Sequence, residues 1–149
     1  MFDIVNDVEC YSQFVPWCTE SHIIRQVNPD IRICTLSVGF PPLTERYTSR
    51  VTSKPFVSIQ SIASNSSMFK HLINQWEFRP GIPNNDRTCT VEFKVDFEFR
   101  SALHSQLSQL FFDQVVKVMV TAFLSRAGKV HGPEAIRRQK PEILEYVNN

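Results

Sequence analysis

The clearest signal along the chain is a change of period. From Arg87 to Phe99, the residues Cys89, Val91, Phe93, Val95, Phe97 and Phe99 alternate with Thr88, Thr90, Glu92, Lys94, Asp96 and Glu98, the pattern of a strand with one buried face. At Ser101, a residue suited to cap a helix, the spacing lengthens. Leu103, Leu107, Leu110, Phe111, Val115, Val118 and Ala122 then recur every three or four residues up to the stop at Gly128, Gly132 and Pro133. This predicts a helix of roughly 30 residues, about 45 Å long at the α-helical rise. It has two apolar faces. Leu103, Leu107, Leu110, Phe111, Val115 and Val118 form the first, expected to face a sheet, either as plain core or as the wall of a cavity. Phe112, Val116, Met119 and Phe123 form the second, expected to stay partly uncovered and to dock on a membrane or another protein.

Upstream, Met1–Asp7 reads as a partial helix with Phe2, Val5 and Val8 on one side, and Glu9–Val15 as a second, stopped by Pro16. Phe14 to Cys18 make a dense apolar knot in which Trp17 either plugs one end of the core or gates a ligand. Strand patterns follow at Ser21–Val27 and Ile31–Phe40 across Asn28-Pro29-Asp30, and at Leu43–Ser53 and Pro55–Ala63. Another covers Met68–Arg79, where Leu72, Asn74, Trp76 and Phe78 share a face and Asn74 is a polar group among apolar neighbours. Six antiparallel strands ahead of one long helix give an α+β arrangement in which the curved sheet wraps the helix. One helix need not fill that concavity, and a gap there would be lined by inward sheet residues and by Leu107, Phe111 and Val115.

Composition narrows the function. The 149 residues suffice for one domain, 42% are hydrophobic, and the net charge of +1 gives no electrostatic case for nucleic acid. No run of about 20 apolar residues is present to span a bilayer, and the N-terminus lacks a basic leader with an apolar core. Cys10, Cys18, Cys34 and Cys89 follow no metal-binding spacing and read as reduced thiols, with neither zinc nor disulfides expected.

Several motifs in order carry a resemblance: Phe14–Cys18, Gly39–Pro42 followed by Glu45–Ser49, Trp76-Glu77-Phe78, and above all Val95–Ser101 with Leu103–Leu107 and Leu110–Asp113. Over residues 1–132 the chain resembles the coenzyme Q-binding proteins of the START-like, polyketide cyclase/dehydrase superfamily. The resemblance implies a helix-grip fold with a hydrophobic cavity. It also implies ubiquinone as bound ligand, and a non-catalytic role in respiration and ubiquinone supply at the matrix side of the mitochondrial inner membrane. The family pattern adds a strand before the first helix and, in eukaryotes, an import presequence. This chain opens inside the helix without either, so the sheet edge beside Arg87–Phe99 is expected to be unpaired, which favours self-association. Residues 133–149 read as a polar tail.

The quinone ring is expected among aromatic and polar groups, with Tyr47, Asn74 and Trp76 foremost. The prenyl chain is expected among Val91, Phe93, Val95, Leu103, Leu107, Phe111 and Val115, and Val15, Pro16, Trp17, Phe40, Pro41 and Leu43 complete the candidate lining. Two rivals compete with the carrier. Cyclase-like catalysis needs titratable pairs inside the pocket; the inward face of Arg87–Phe99 has none, which leaves Glu45, Tyr47 and His104, with no residue assigned as catalytic. Ribosome association, described for bacterial relatives, would need a basic surface, and Arg46, Arg50 and Lys54 form only a small cluster.

Overall fold

In the computed structural model, residues 1–40, 43–101, 108–137 and 139–144 are described. A short helix α1 (Phe2–Asn6) and a 3₁₀ helix (Val8–Gln13) precede six strands: β1 (Cys18–Asn28), β2 (Ile31–Phe40), β3 (Leu43–Lys54), β4 (Ser58–Ser64), β5 (Phe69–Pro80) and β6 (Cys89–Phe99). A long helix, α2 (Ser108–His131), follows. The strands form one antiparallel sheet in chain order, so that β1 and β6 are its edges among the described residues. The expected α+β architecture and its strand order are therefore present.

Turn chemistry sets where each strand begins. Asn28 Oδ1 accepts from the Asp30 backbone N–H at 2.9 Å, closing the β1–β2 turn from a side chain. β4 starts three residues later than its apolar pattern, because Pro55 has no N–H for the ladder and Phe56 takes a left-handed φ of 59°. Between β5 and β6, Gly81 is required by close approach: a Cβ there would lie 2.5 Å from the backbone carbon of Thr88. β1 begins earlier than its pattern, since Trp17, itself left-handed at φ 63°, holds its carbonyl toward the Gly39 N–H at 2.8 Å.

The outer face of β6 and its neighbour is charged and internally paired. Lys70 meets Glu98, His71 lies 2.7 Å from Asp96, and Arg79 lies 2.7 Å from Glu92. The titratable residues of β6 thus point away from the core, as its alternation predicts. A polar knot ties α1 to the sheet: Arg32 on β2 donates to the Asn6 carbonyl at 2.8 Å and to Ser53 Oγ at 3.0 Å, and Ser53 donates to Asn6 Oδ1 at 2.7 Å. Nothing in the hydrophobic pattern announces it.

The helix docks through Phe123, on the face expected to stay partly uncovered, while Phe112, Val116 and Met119 on that face are half-buried. Phe123 is 1% exposed while Leu110, assigned to the sheet-facing side, is 51% exposed. The cause lies upstream in the chain. The N-terminal turns sit on the same side of the sheet as α2, so the Phe123 ring packs against Tyr11 at 5.3 Å, Phe14 at 5.1 Å and Trp76 at 4.9 Å. Helix and N-terminal turns close one core over the sheet. α2 runs through Gly128 and ends at Gly132, whose φ of +85° and N–H bond to the Gly128 carbonyl at 3.1 Å make a left-handed cap. Residues 102–107, including the expected first turns and His104, lie outside the described residues.

Candidate ligand cavity

Between the sheet, the 3₁₀ helix and α2 lies a cavity of about 120 Å³. Its sheet wall is made by one face of successive strands: Leu36 and Val38 on β2, Tyr47, Ser49 and Val51 on β3, Ile59 and Ser61 on β4, Leu72, Asn74 and Trp76 on β5, and Val95 on β6. The period of two that defines each strand puts these alternate residues on the same side. Val8, Tyr11, Val15, Pro16, Trp17 and Cys18 close it from the N-terminal segment, Met68 and Phe69 from the start of β5, and Met119 and Phe123 from α2.

Among the described residues no charged side chain lines this space. Its polar groups are neutral: the hydroxyls of Tyr11, Tyr47, Ser49 and Ser61 and the amide of Asn74. Burial pushes both tyrosines well above the ordinary phenol range and raises the Cys18 thiol to about 11. The Tyr11 hydroxyl donates to the Val5 carbonyl. Ser49 differs from the others, because its Oγ is fully buried and, among the described residues, has no hydrogen-bond partner.

Glu45 is buried as its position beside Tyr47 suggested, yet it serves the fold. Its carboxylate accepts from Ser66 Oγ at 3.2 Å, from the Ser67 N–H at 3.0 Å and from Ser67 Oγ at 2.8 Å, clamping the β4–β5 turn. Both carboxylate oxygens are engaged there. His71 is half-buried and paired with Asp96, away from the cavity.

Of the residues proposed from sequence, Val15, Pro16, Trp17, Tyr47, Asn74, Trp76 and Val95 meet at the cavity. Val91 and Phe93 do not line it. They pack against the core beside it: the Trp76 indole, which lines the cavity, stacks on the Phe93 ring at 4.3 Å, and Val91 lies opposite Phe78 in the β5–β6 ladder. Pro41, Leu103 and Leu107, and the side chains of Phe40, Leu43, Phe111 and Val115, lie outside the described residues. Sequence reading passed over Ser49 and Ser61, although each lies two positions from an inward residue, Tyr47 or Ile59. Met119 and Phe123 had been assigned to the partly uncovered face of the helix and so were not expected at the cavity.

A family model described as polyketide cyclase / dehydrase and lipid transport matches residues 1–124. The chain is 42% identical over 136 residues to "Coenzyme Q-binding protein COQ10 homolog B, mitochondrial" of Xenopus laevis, a match covering 91% of this chain and 55% of that protein. The chain thus spans about half the length of that relative. It is 34% identical over 133 residues to the ribosome association toxin RatA of Escherichia coli, covering 88% of this chain and 80% of the toxin. The solution structure of an 18 kDa Caulobacter crescentus protein superposes with a TM-score of 0.68 at 32% identity, over 89% of this chain and 88% of that one. A sheet gripping a long helix around an apolar space, matched along most of the chain by that model, makes this protein a member of the polyketide cyclase / dehydrase and lipid transport family.

Proposed function

We propose that the protein is a ubiquinone carrier or chaperone that performs no chemistry on its ligand, and that it supports respiratory electron transport and ubiquinone supply. The observation that carries this reading is the cavity itself, an apolar lining with a few neutral hydrogen-bonding groups and no charged residue among those described. Such a lining suits a long hydrocarbon with an uncharged polar ring. Apolar burial contributes about 25 cal/mol per Å², so a prenyl tail supplies affinity while a few polar contacts select the head. The relative named for coenzyme Q binding supports the same ligand, and its mitochondrial designation supports a mitochondrial site of action, which we place peripherally on the matrix side of the inner membrane as part of this proposal. Catalysis finds little support here. Proton transfer needs a group titrating near neutrality, whereas burial holds the cavity tyrosines protonated.

The test is extraction of the purified protein with organic solvent and mass spectrometry of the extract. A prenylated benzoquinone is expected; repeated recovery of phospholipid or fatty acid alone, from a quinone-rich host, would refute the reading. A second reading, ribosome association, is favoured by the match that covers most of the bacterial toxin. Against it stands a β5–β6 surface whose bases are neutralised by acids on the same face. Co-sedimentation with ribosomal subunits at physiological salt would establish that alternative.

A further inference from the structure

The quinone reading leaves open which atoms recognise the head group. Resting on that reading, we infer that Ser49, Ser61 and Asn74 form a hydrogen-bonding seat for the oxygen atoms of an uncharged ring, with Ser49 as its selective member. The three lie on consecutive strands. Ser61 on β4 is directly opposite Asn74 on β5, and Ser49 on β3 is opposite Ala63, one diagonal step from Ser61. Directly opposed Cβ atoms sit about 5 Å apart and diagonal ones about 7 Å. The seat thus crosses the middle of the sheet wall over a span comparable to a ring with oxygens on opposite edges.

Ser49 carries the inference. Ser49 lines the cavity wall, is 0% exposed, and among the described residues its Oγ has no hydrogen-bond partner. A buried hydroxyl with no hydrogen bond weakens a fold, and a position needing only a small filler would be better served by alanine. The hydroxyl is accounted for if a ligand oxygen completes it. Serine hydroxyls and the asparagine amide all donate, which suits the carbonyl and methoxy oxygens of a benzoquinone, since these only accept. A carboxylate or phosphate head fits badly, because it would be buried without a countercharge among the described lining residues.

The test compares the full-length chain with Ser49→Ala in calorimetric titrations of two probes sharing one tail, decyl-ubiquinone and decylbenzene. The variant is expected to bind decyl-ubiquinone about three- to tenfold more weakly, the range of one neutral hydrogen bond. Decylbenzene affinity should not change, and the thermal midpoint of the ligand-free variant should hold or rise. That pairing, weaker quinone binding without loss of stability, is one a purely structural serine would not produce. Equal decyl-ubiquinone binding by both proteins, or equal losses for both probes, would overturn the seat while leaving the carrier reading in place. Failure of the unsubstituted chain to bind decyl-ubiquinone would overturn the carrier reading and the seat together. Should Ser49→Ala not fold, Ser61→Ala is read by the same criteria.

Discussion

Replacing Phe123 by alanine tests which face of α2 holds the molecule together. The ring is almost wholly buried and contacts Tyr11, Phe14 and Trp76 at centroid distances of 5.3, 5.1 and 4.9 Å, so it joins the helix, the 3₁₀ segment and the sheet at one point. Core Phe→Ala substitutions cost about 3 to 5 kcal/mol, and each aromatic pair adds roughly 0.5 to 1.5 kcal/mol beyond area burial. The ring also borders the cavity, so its truncation enlarges a space already present, which places the expected loss near the lower bound, about 3 kcal/mol. For a chain of this size that lowers the thermal midpoint by about 10 °C. The assay is thermal and urea unfolding followed by circular dichroism, with Leu110→Ala as the companion. Leu110 is half exposed, so its truncation should cost no more than about 0.5 kcal/mol. If Leu110→Ala proved the more damaging of the two, the helix would be docked by its other face and the cavity wall assigned here would be wrong.

Alkaline pH should destabilise the protein. Burial raises the Cys18 thiol to about 11 and also lifts Cys34, Tyr11 and Tyr47, so above the thiol's ordinary value the unfolded chain releases protons that the folded chain keeps. Stability from Cys18 is then complete below about pH 9 and lost as pH rises toward 11, and a thermal midpoint equal at pH 8 and pH 10.5 would contradict this. Glu45→Ala removes a charged acceptor from three donors on Ser66 and Ser67 and should cost about 3 kcal/mol; an unchanged urea midpoint would mean that the turn holds itself. Gly81→Ala brings a Cβ to 2.5 Å from the Thr88 backbone, and a loss of about 1 to 3 kcal/mol is expected in the same assay. No loss would show that the β5–β6 turn can open without cost.

Chain order and period determined the strands. Alternation in β6 named both of its faces, the Asn28-Pro29-Asp30 and Gly81 turns marked where strands reverse, and Asn74 was legible as a polar residue on an apolar face. These signals are local, because a period of two and a turn residue act over a few bonds. Tertiary structure decided the rest. A wheel shows that α2 has two apolar faces and cannot say which one meets the sheet, since that depends on where the N-terminal turns bring Tyr11 and Phe14. Trp76 stacked on Phe93 set that expected lining residue beside the cavity, and Ser49 joined the wall only when β3, β4 and the N-terminal segment were brought together around one space. Sequence spacing records direction along one element, whereas a cavity is what several elements leave unfilled between them, so the pattern could foretell that a gap would exist and the packing alone could choose its walls.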